Sequence, residues 1–338
     1  MIKIIVDAFG GDRSPVVNVE GTIRAINENK DLHVILTGDE EVLRKELSKH
    51  QYNIEQITIL HAPDVISCDE VPTEAIRKKK ESSMVVALNL LRTDDEVKGL
   101  VTIGSTGALL AGAVLRVGRI RGVKRPGFCP ILPTMTGGVV AVCDSGANVD
   151  CDVLHLQQFA LMGNLYMKKA FGIENPRVAL LNIGTESEKG DALRKETYKA
   201  LQQMDLNFVG NMESRDLLSG DYDLVVSDGF SGNVLIKSTE GTALELLKLL
   251  KKAMTKNLKS KVGALILKKE VMVIKDMMDY NNYGGAVLLG ANKTIVKGHG
   301  SSKSTAVYHC IKQAYRLEKE GLRDAIAAEL EKIEDNNQ

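Results

Sequence analysis

Short apolar runs alternate with helical periodicities along most of the chain. Ile2–Val6, Val34–Thr37, Gln56–Leu60, Leu100–Ile103, Val139–Cys143, Val178–Asn182, Leu224–Ser227 and Thr294–Lys297 have the length and β-rich composition of strands. Between most of them apolar residues return every three to four positions, which predicts helices over Val16–Glu28, Asp39–Lys49, Gly107–Val117, Val153–Phe171 and Asp191–Gln203. The strands are apolar along their whole length, so both faces of the sheet must be covered. Strand–helix alternation then predicts an α/β fold, a three-layer α/β/α sandwich with a mostly parallel sheet. No repeat or low-complexity linker divides the sequence, and one catalytic unit over residues 1–338 is expected.

One stretch departs from this pattern. Leu246–Lys275 holds nine lysines and a single acid, Glu270, in a chain whose 44 basic and 44 acidic residues otherwise balance. Leu246, Leu247, Leu250, Ala253, Met254 and Leu258 recur at helical spacing beneath the lysines, and Ala264–Leu267 forms an apolar knot. A basic amphipathic helical arm over 246–282 is predicted. Lys251, Lys252, Lys256, Lys259, Leu265 and Leu267 are its candidate contacts to an anionic membrane or an acidic protein.

Global composition removes several function classes. Net charge is zero and aromatic residues are only 4% with no Trp, which leaves neither a field nor a stacking platform for nucleic acid. The five cysteines are scattered without a Cys-x-x-Cys pair, so neither a zinc site nor a disulfide framework is suggested and a reducing cytoplasm is the expectation. Ile2–Val6 reads as a strand with no leader pattern, and no apolar run reaches the ~18 residues of a membrane span. The expected location is cytoplasmic, with peripheral attachment to the membrane through the arm.

Ligands of open parallel sheets bind beyond the carboxyl ends of the strands, so the loops there are the candidates. Asp7-Ala8-Phe9-Gly10-Gly11-Asp12 precedes a helix opened by Pro15, and Gly104-Ser105-Thr106-Gly107 leads into Ala108. Glycines, hydroxyls and a helix start suit a phosphate, although a plain strand–helix turn or a Ser/Thr cap explains the same residues. Lys189 follows two acids in the next loop, where a solvated lysine is the plain alternative. Asp228 and Asn233 are framed by Gly229 and Gly232. His299 stands between Gly298 and Gly300, followed by Ser301. This last loop fails the phosphate-loop pattern, because Ser302 and Lys297 stand where glycines are required.

In this order the loops resemble the phosphate acyltransferase family called PlsX. Its opening Asp-Ala-Met-Gly-Gly-Asp-x-x-Pro is matched by Asp7 to Pro15 with Phe9 in place of Met. Its Gly-(Asn/Ser)-Thr-Gly-Ala-Leu is matched by Gly104 to Leu109, after Thr102-Ile103 where Ser-Ala is usual, and its Asp-x-Gly-Ala-Asn-x-Asp-Cys by Asp144 to Cys151. Asn182-Ile183-Gly184 with Lys189-Gly190, Ser227 to Phe230 with Gly232-Asn233-Val234, Tyr283 to Ala286 with Leu288-Leu289-Gly290, and His299 to Ser302 complete the match.

The resemblance implies a sandwich like isocitrate and isopropylmalate dehydrogenases and phosphotransacetylase. It also implies a homodimer, no cofactor and no metal. The reaction would be transfer of a long-chain acyl group from acyl carrier protein to inorganic phosphate. The acyl phosphate would pass to a membrane acyltransferase that acylates glycerol 3-phosphate. On this reading Asp7, Gly10, Gly11, Asp12, Gly104, Ser105, Thr106, Gly107, Asp228 and Ser301 bind phosphate or substrate. Lys189 pairs with phosphate or the oxyanion, Asn233 donates to the carbonyl oxygen, and His299 orients phosphate or protonates the leaving thiolate. Three rivals stand beside it: a phosphotransacetylase-type enzyme using acyl-CoA, a non-catalytic phosphate or lipid sensor, and a hydroxyacid dehydrogenase on the same sandwich. The last usually needs clustered metal-binding aspartates, which these loops lack.

Overall fold

The computed structural model describes residues 1–277 and 283–336. Its strands are β1 (Ile2–Asp7), β2 (Leu32–Gly38), β3 (Ile57–His61), β4 (Val97–Thr102), β5 (Gly127–Cys129), β6 (Ile131–Pro133), β7 (Val139–Cys143), β8 (Val178–Asn182), β9 (Phe208–Glu213), β10 (Leu224–Val226), β11 (Ala286–Leu289) and β12 (Thr294–Lys297). Its helices are α1 (Val16–Glu28), α2 (Glu40–Leu47), α3 (Pro72–Lys78), α4 (Ser83–Thr93), α5 (Thr106–Gly112), α6 (Val153–Phe171), α7 (Ala192–Gln202), α8 (Gly229–Thr255), α9 (Leu258–Ile266), α10 (Lys268–Met277), α11 (Ser304–Lys319) and α12 (Leu322–Asn336).

Side chains alternate across a strand, and here the alternation sorts them into different cores. Ile4 and Val6 of β1 join Val19 and Ile23 of α1 and Ile311 of α11, whereas Ile5 between them joins Leu88 of α4 and Leu109 of α5. In β10, Leu224 and Val226 enter the first of these cores beside Phe159 of α6, while Val225 packs with Leu235 and Ile236 of α8. Helices thus cover both faces of the strands, giving the three layers expected from wholly apolar strands.

The strands form two sheets, ordered β3-β2-β1-β4-β12-β11-β5 and β6-β7-β10-β8-β9. Pairing is parallel except where β11 meets β12 and β5 and where β6 meets β7. The antiparallel margins face each other where Pro130, alone between β5 and β6, carries the chain from one sheet to the other. Proline has no N–H to donate to a ladder, which suits a break between sheets.

Helix ends follow the capping rules. Asp152 and His155 close a reciprocal capping box on α6, and Gly172 ends it at φ 69°. The predicted helix over Gly107–Val117 is α5 followed by a wider turn over Ala113–Val117.

The arm is helical as far as Met277, and residues 278–282 lie outside the described residues. It is not one helix, because Asn257 accepts from the Ser260 N–H and starts α9 afresh. No residue of α9 is buried. Lys251, Lys252, Lys256 and Lys259 are exposed, as are Leu265 and Leu267. Among the described residues no helix is long and apolar enough to cross a membrane.

Candidate active site

Neighbouring parallel strands deliver their loops to one edge of a sheet. Because β1, β4 and β12 are adjacent, the loops beginning at Ala8, Ile103 and Gly298 lie side by side. In the second sheet β7, β10 and β8 bring together the loops that carry Asp144, Asp228 and Lys189.

Asp7 lies beneath the first group of loops rather than on their surface. It is 1% exposed, and its carboxylate accepts from Ser83 Oγ at 2.6 Å and Thr102 Oγ1 at 2.7 Å. Burial raises its pKa against those donors. The Thr102 hydroxyl also accepts from the Gly104 N–H at 2.9 Å, so Asp7 and Thr102 together shape the second loop. Asn18 reaches back from α1 to the carbonyls of Ala8 and Gly10 at 2.8 and 3.0 Å. The Asp12 N–H donates to the Gly300 carbonyl at 2.9 Å, tying the first loop to that of His299. Gly10 is glycine because a Cβ there would lie 2.7 Å from the Gly104 nitrogen. Gly11 adopts φ 89°. Ser105 is spent as the cap of α5, accepting from the Ala108 N–H. The polar groups of Asp7, Asn18 and Thr102 therefore build the loops and are not free for a ligand.

The second sheet is organised around Asp144. Its carboxylate accepts from the N–H groups of Phe128, Ala147 and Asn148 and from Asn148 Nδ2, while burial lifts its pKa to about 6. The first turn of α8 sits directly on this knot. A Cβ on Gly229 would lie 2.6 Å from the Asn148 carbonyl oxygen, and one on Gly232 would lie far inside van der Waals contact of the Asp144 carbonyl oxygen. Asp228 caps α8 by accepting from the Ser231 N–H at 2.8 Å and pairs with Arg194 of α7. It is thus an anchor for the helix that carries Asn233, not an open ligand-binding acid.

Where the two sheets meet, a cleft of about 560 Å³ opens. Thr106, Gly107, Lys297 and His299 line it from the first sheet, and Asn233 with Lys237 from α8. Its floor includes Phe128, Pro130 and Ile131 at the seam, and Leu110 and Ile236 add apolar wall. His299 Nδ1 accepts from the Ser301 N–H at 3.3 Å and lies 2.9 Å from the Ser301 hydroxyl. A neutral ring therefore carries its proton on Nε2. Partial burial and the nearby charge of Lys297 lower its pKa, which favours that neutral form at pH 7. Ser301 thus acts on the imidazole.

Lys189 is not brought to Asn233 and His299. Its side chain folds over Gly184 in the β8–α7 loop, exposed to solvent and outside the cleft's lining. That loop instead borders a second cavity of about 940 Å³ on the other side of α8, with Ile183, Leu217, Phe230, Val234 and Leu246 on its walls. The sequence reading missed Lys297, Ser302, Lys237 and Glu240, which also line the cleft. One signal for Lys297 was available: it ends a fully buried strand, where a charge has no structural use. Among the described residues no group of three or more His, Cys, Asp or Glu could hold a metal ion.

A family model described as "Fatty acid synthesis protein" matches residues 2–324. The chain is 41% identical over 336 residues to the "Phosphate acyltransferase" of Clostridioides difficile (strain 630), covering 99% of this chain and 98% of that one. It is 45% identical over 331 residues to the "Phosphate acyltransferase" of Bacillus cereus (strain B4264), covering 98% and 99%. Among solved structures, a phosphotransacetylase from Streptococcus pyogenes superposes with a TM-score of 0.59 at 19% identity, covering 94% of each chain. The EutD phosphotransacetylase of Staphylococcus aureus superposes with a TM-score of 0.58 at 16% identity over 94% of each, a likeness of fold. The chain belongs to the fatty acid synthesis protein family, that of the phosphate acyltransferases.

Proposed function

We propose that this protein transfers a long-chain acyl group from acyl carrier protein to inorganic phosphate. A phosphate oxygen attacks the thioester carbonyl, a C–O bond forms, the C–S bond breaks, and the thiolate leaves to be protonated. Phosphate is already nucleophilic at neutral pH and a thioester is already activated. Catalysis then needs positioning and charge stabilisation more than a covalent intermediate. The observation that carries this reading is the cleft itself. It sets the amide of Asn233, from α8, and the imidazole of His299, from the loop after β12, on the walls of one cavity. Asn233 donates to the developing oxyanion, His299 Nε2–H serves phosphate or the leaving sulfur, and the apolar wall receives the start of the acyl chain. Incubation with palmitoyl–acyl carrier protein and labelled phosphate should give labelled acyl phosphate without added metal. Palmitoyl-CoA in a parallel reaction tests the donor. Phosphate-independent thioester hydrolysis as the sole activity would refute the reading.

The basic arm gives this reading its setting. Its exposed lysines and leucines fit an anionic surface, and we assign it to reversible attachment at the membrane. There a reactive acyl phosphate can pass directly to a membrane acyltransferase acting on glycerol 3-phosphate. Each basic side chain near an anionic bilayer contributes ~1 kcal/mol, and salt weakens the attraction. Wild-type protein should co-sediment with anionic vesicles at low salt and be released at high salt. Changing Lys251, Lys252, Lys256 and Lys259 to Glu, or Leu265 and Leu267 to Glu, should abolish sedimentation. Wild type that ignores anionic vesicles, or both variants binding normally, would leave the arm to a homodimer contact. Lost carrier-protein affinity alone in the lysine variant would make it the donor's docking site.

A further inference from the structure

The cleft contains a cation that the mechanism above does not use. Lys297 is the last residue of β12, opposite Thr102 of β4, and is only 9% exposed. Its ammonium donates to the carbonyl of the adjacent Gly298, and among the described residues no carboxylate lies within ion-pair distance of it. Asp7 and Asp12 are near enough to favour its charge without pairing with it, and burial pulls its pKa down to about 8. A buried ammonium without a counter-ion is costly to keep, so its retention calls for an anion. Ser302 stands a few residues further along the same loop and lines the same cleft. Its hydroxyl is buried and has no hydrogen-bond partner within the protein. A Cβ at Gly298 would lie 3.6 Å from that hydroxyl oxygen, so no side chain separates it from the strand end. His299, whose Nδ1 is occupied by Ser301, adds an Nε2–H from between them. The stretch 297–302 therefore gathers an ammonium, a hydroxyl and an imidazole N–H. That set complements an ion made of acceptor oxygens.

We propose that Lys297 and Ser302 form the inorganic-phosphate subsite of this cleft, with His299 at its flank. The proposal rests on the phosphate acyltransferase reading and revises where phosphate sits. The loops at Asp7–Asp12 and Gly104–Gly107 shape the site, and the β12–α11 loop grips the anion. An anion there is beside His299 in the cleft that Asn233 also lines, so the thioester carbonyl would be held between them.

Phosphate binding to the full-length protein is read by calorimetry and by thermal shift with inorganic phosphate as the probe. Wild type should bind and be stabilised. Lys297→Met removes a charge-assisted contact and should weaken phosphate roughly thirtyfold, with a matching rise in phosphate KM and little change in KM for the acyl donor. Ser302→Ala should weaken phosphate less, and Lys297→Arg should restore most of the affinity. The charged groups facing Lys297 and its loop are Asp7, Asp12, His299, Lys237 and the thiols of Cys68 and Cys310. Cys310 is pushed up to about 12 by burial and His299 titrates below its usual range, so neither produces a limb near pH 8. The alkaline limb of kcat/KM for phosphate should fall near pH 8 in wild type, move upward in Lys297→Arg and stay in place in Cys68→Ser, and a limb that moves only in Cys68→Ser overturns its assignment to Lys297.

Wild-type phosphate affinity in Lys297→Met, or its loss in Lys189→Ala but not in Lys297→Met, overturns the subsite. Failure of wild type to bind phosphate at all does the same. The two readings fail separately. Lys297-dependent phosphate binding without acyl phosphate from any thioester leaves the subsite standing and removes the acyltransferase function. Acyl phosphate formation by Lys297→Met at wild-type phosphate KM does the reverse.

Discussion

Asn233→Ala and His299→Ala are each expected to lower turnover about a hundredfold, ~3 kcal/mol of transition-state stabilisation, while the protein stays folded. The expectation follows from where the two side chains stand. Asn233 lies in the first turns of α8, a segment fixed by the cap of Asp228 and by close packing of Gly229 and Gly232 on the Asp144 loop. A truncated side chain there removes one donor without disturbing its support. His299 is largely exposed, and among the described residues Ser301 alone hydrogen-bonds its ring, so alanine costs little in stability. Turnover and melting temperature measured together separate loss of chemistry from loss of fold. Near-normal rates in both variants would place the reaction outside this cleft. Lys189→Ala belongs in the same series, since a comparable loss there would bring the β8–α7 loop to the reacting carbonyl.

The second large effect concerns a residue with no polar group. Gly232→Ala places a methyl group far inside van der Waals contact of the Asp144 carbonyl oxygen. A backbone oxygen cannot swing aside as a side chain would, so the first turn of α8 must lift off the second sheet. Overpacking of this kind costs ~3 kcal/mol, the upper part of its usual range. Displacement of neighbouring Asn233 should take turnover with it. Gly263→Ala in α9 is the matched control, because nothing lies within 4 Å of a Cβ there. It should be neutral or stabilising by up to ~1 kcal/mol through helix propensity. Urea unfolding of the two variants reads the contrast, and equal stability of Gly232→Ala and wild type would refute the packing argument.

Elements with long, strongly periodic sequences were legible before the structure. Val16–Glu28 and Val153–Phe171 are helices over the predicted residues, because each presents a continuous apolar stripe and the second also has Asp152 and Gly172 at its ends. β5 and β6 are three residues each and are broken up by Pro126, Pro130 and Pro133, which hid them, whereas β10, equally short, stood out as an uninterrupted apolar run. β9 was hidden by Gly210 and Asn211, residues that weaken a strand signal although its neighbour β8 supplies the pairing. The loops of the site were legible as loops because parallel strands end in glycine and hydroxyl residues. Their division of labour was not. Asp7 and Asp228 look like ligand groups in one dimension, and only their hydrogen-bond partners, 76 and 34 residues away, reveal them as anchors. Lys297 went unassigned for the opposite reason, since at the end of a buried strand it reads in one dimension only as the lack of a glycine.

Helix α8 connects the two ends of this molecule's work. Its 27 residues make a rod ~40 Å long, rooted at the Asp144 knot and free at the arm. A rotation of about 5° at the root would carry the far end roughly 3.5 Å, yet would move Asn233, one turn from the root, only about 0.5 Å. That smaller figure is about the positional tolerance of a catalytic group. On the proposed reading the helix is a lever with its fulcrum at Asn233: if the arm rests on a membrane, its outer end can follow an undulating surface while the amide keeps its aim.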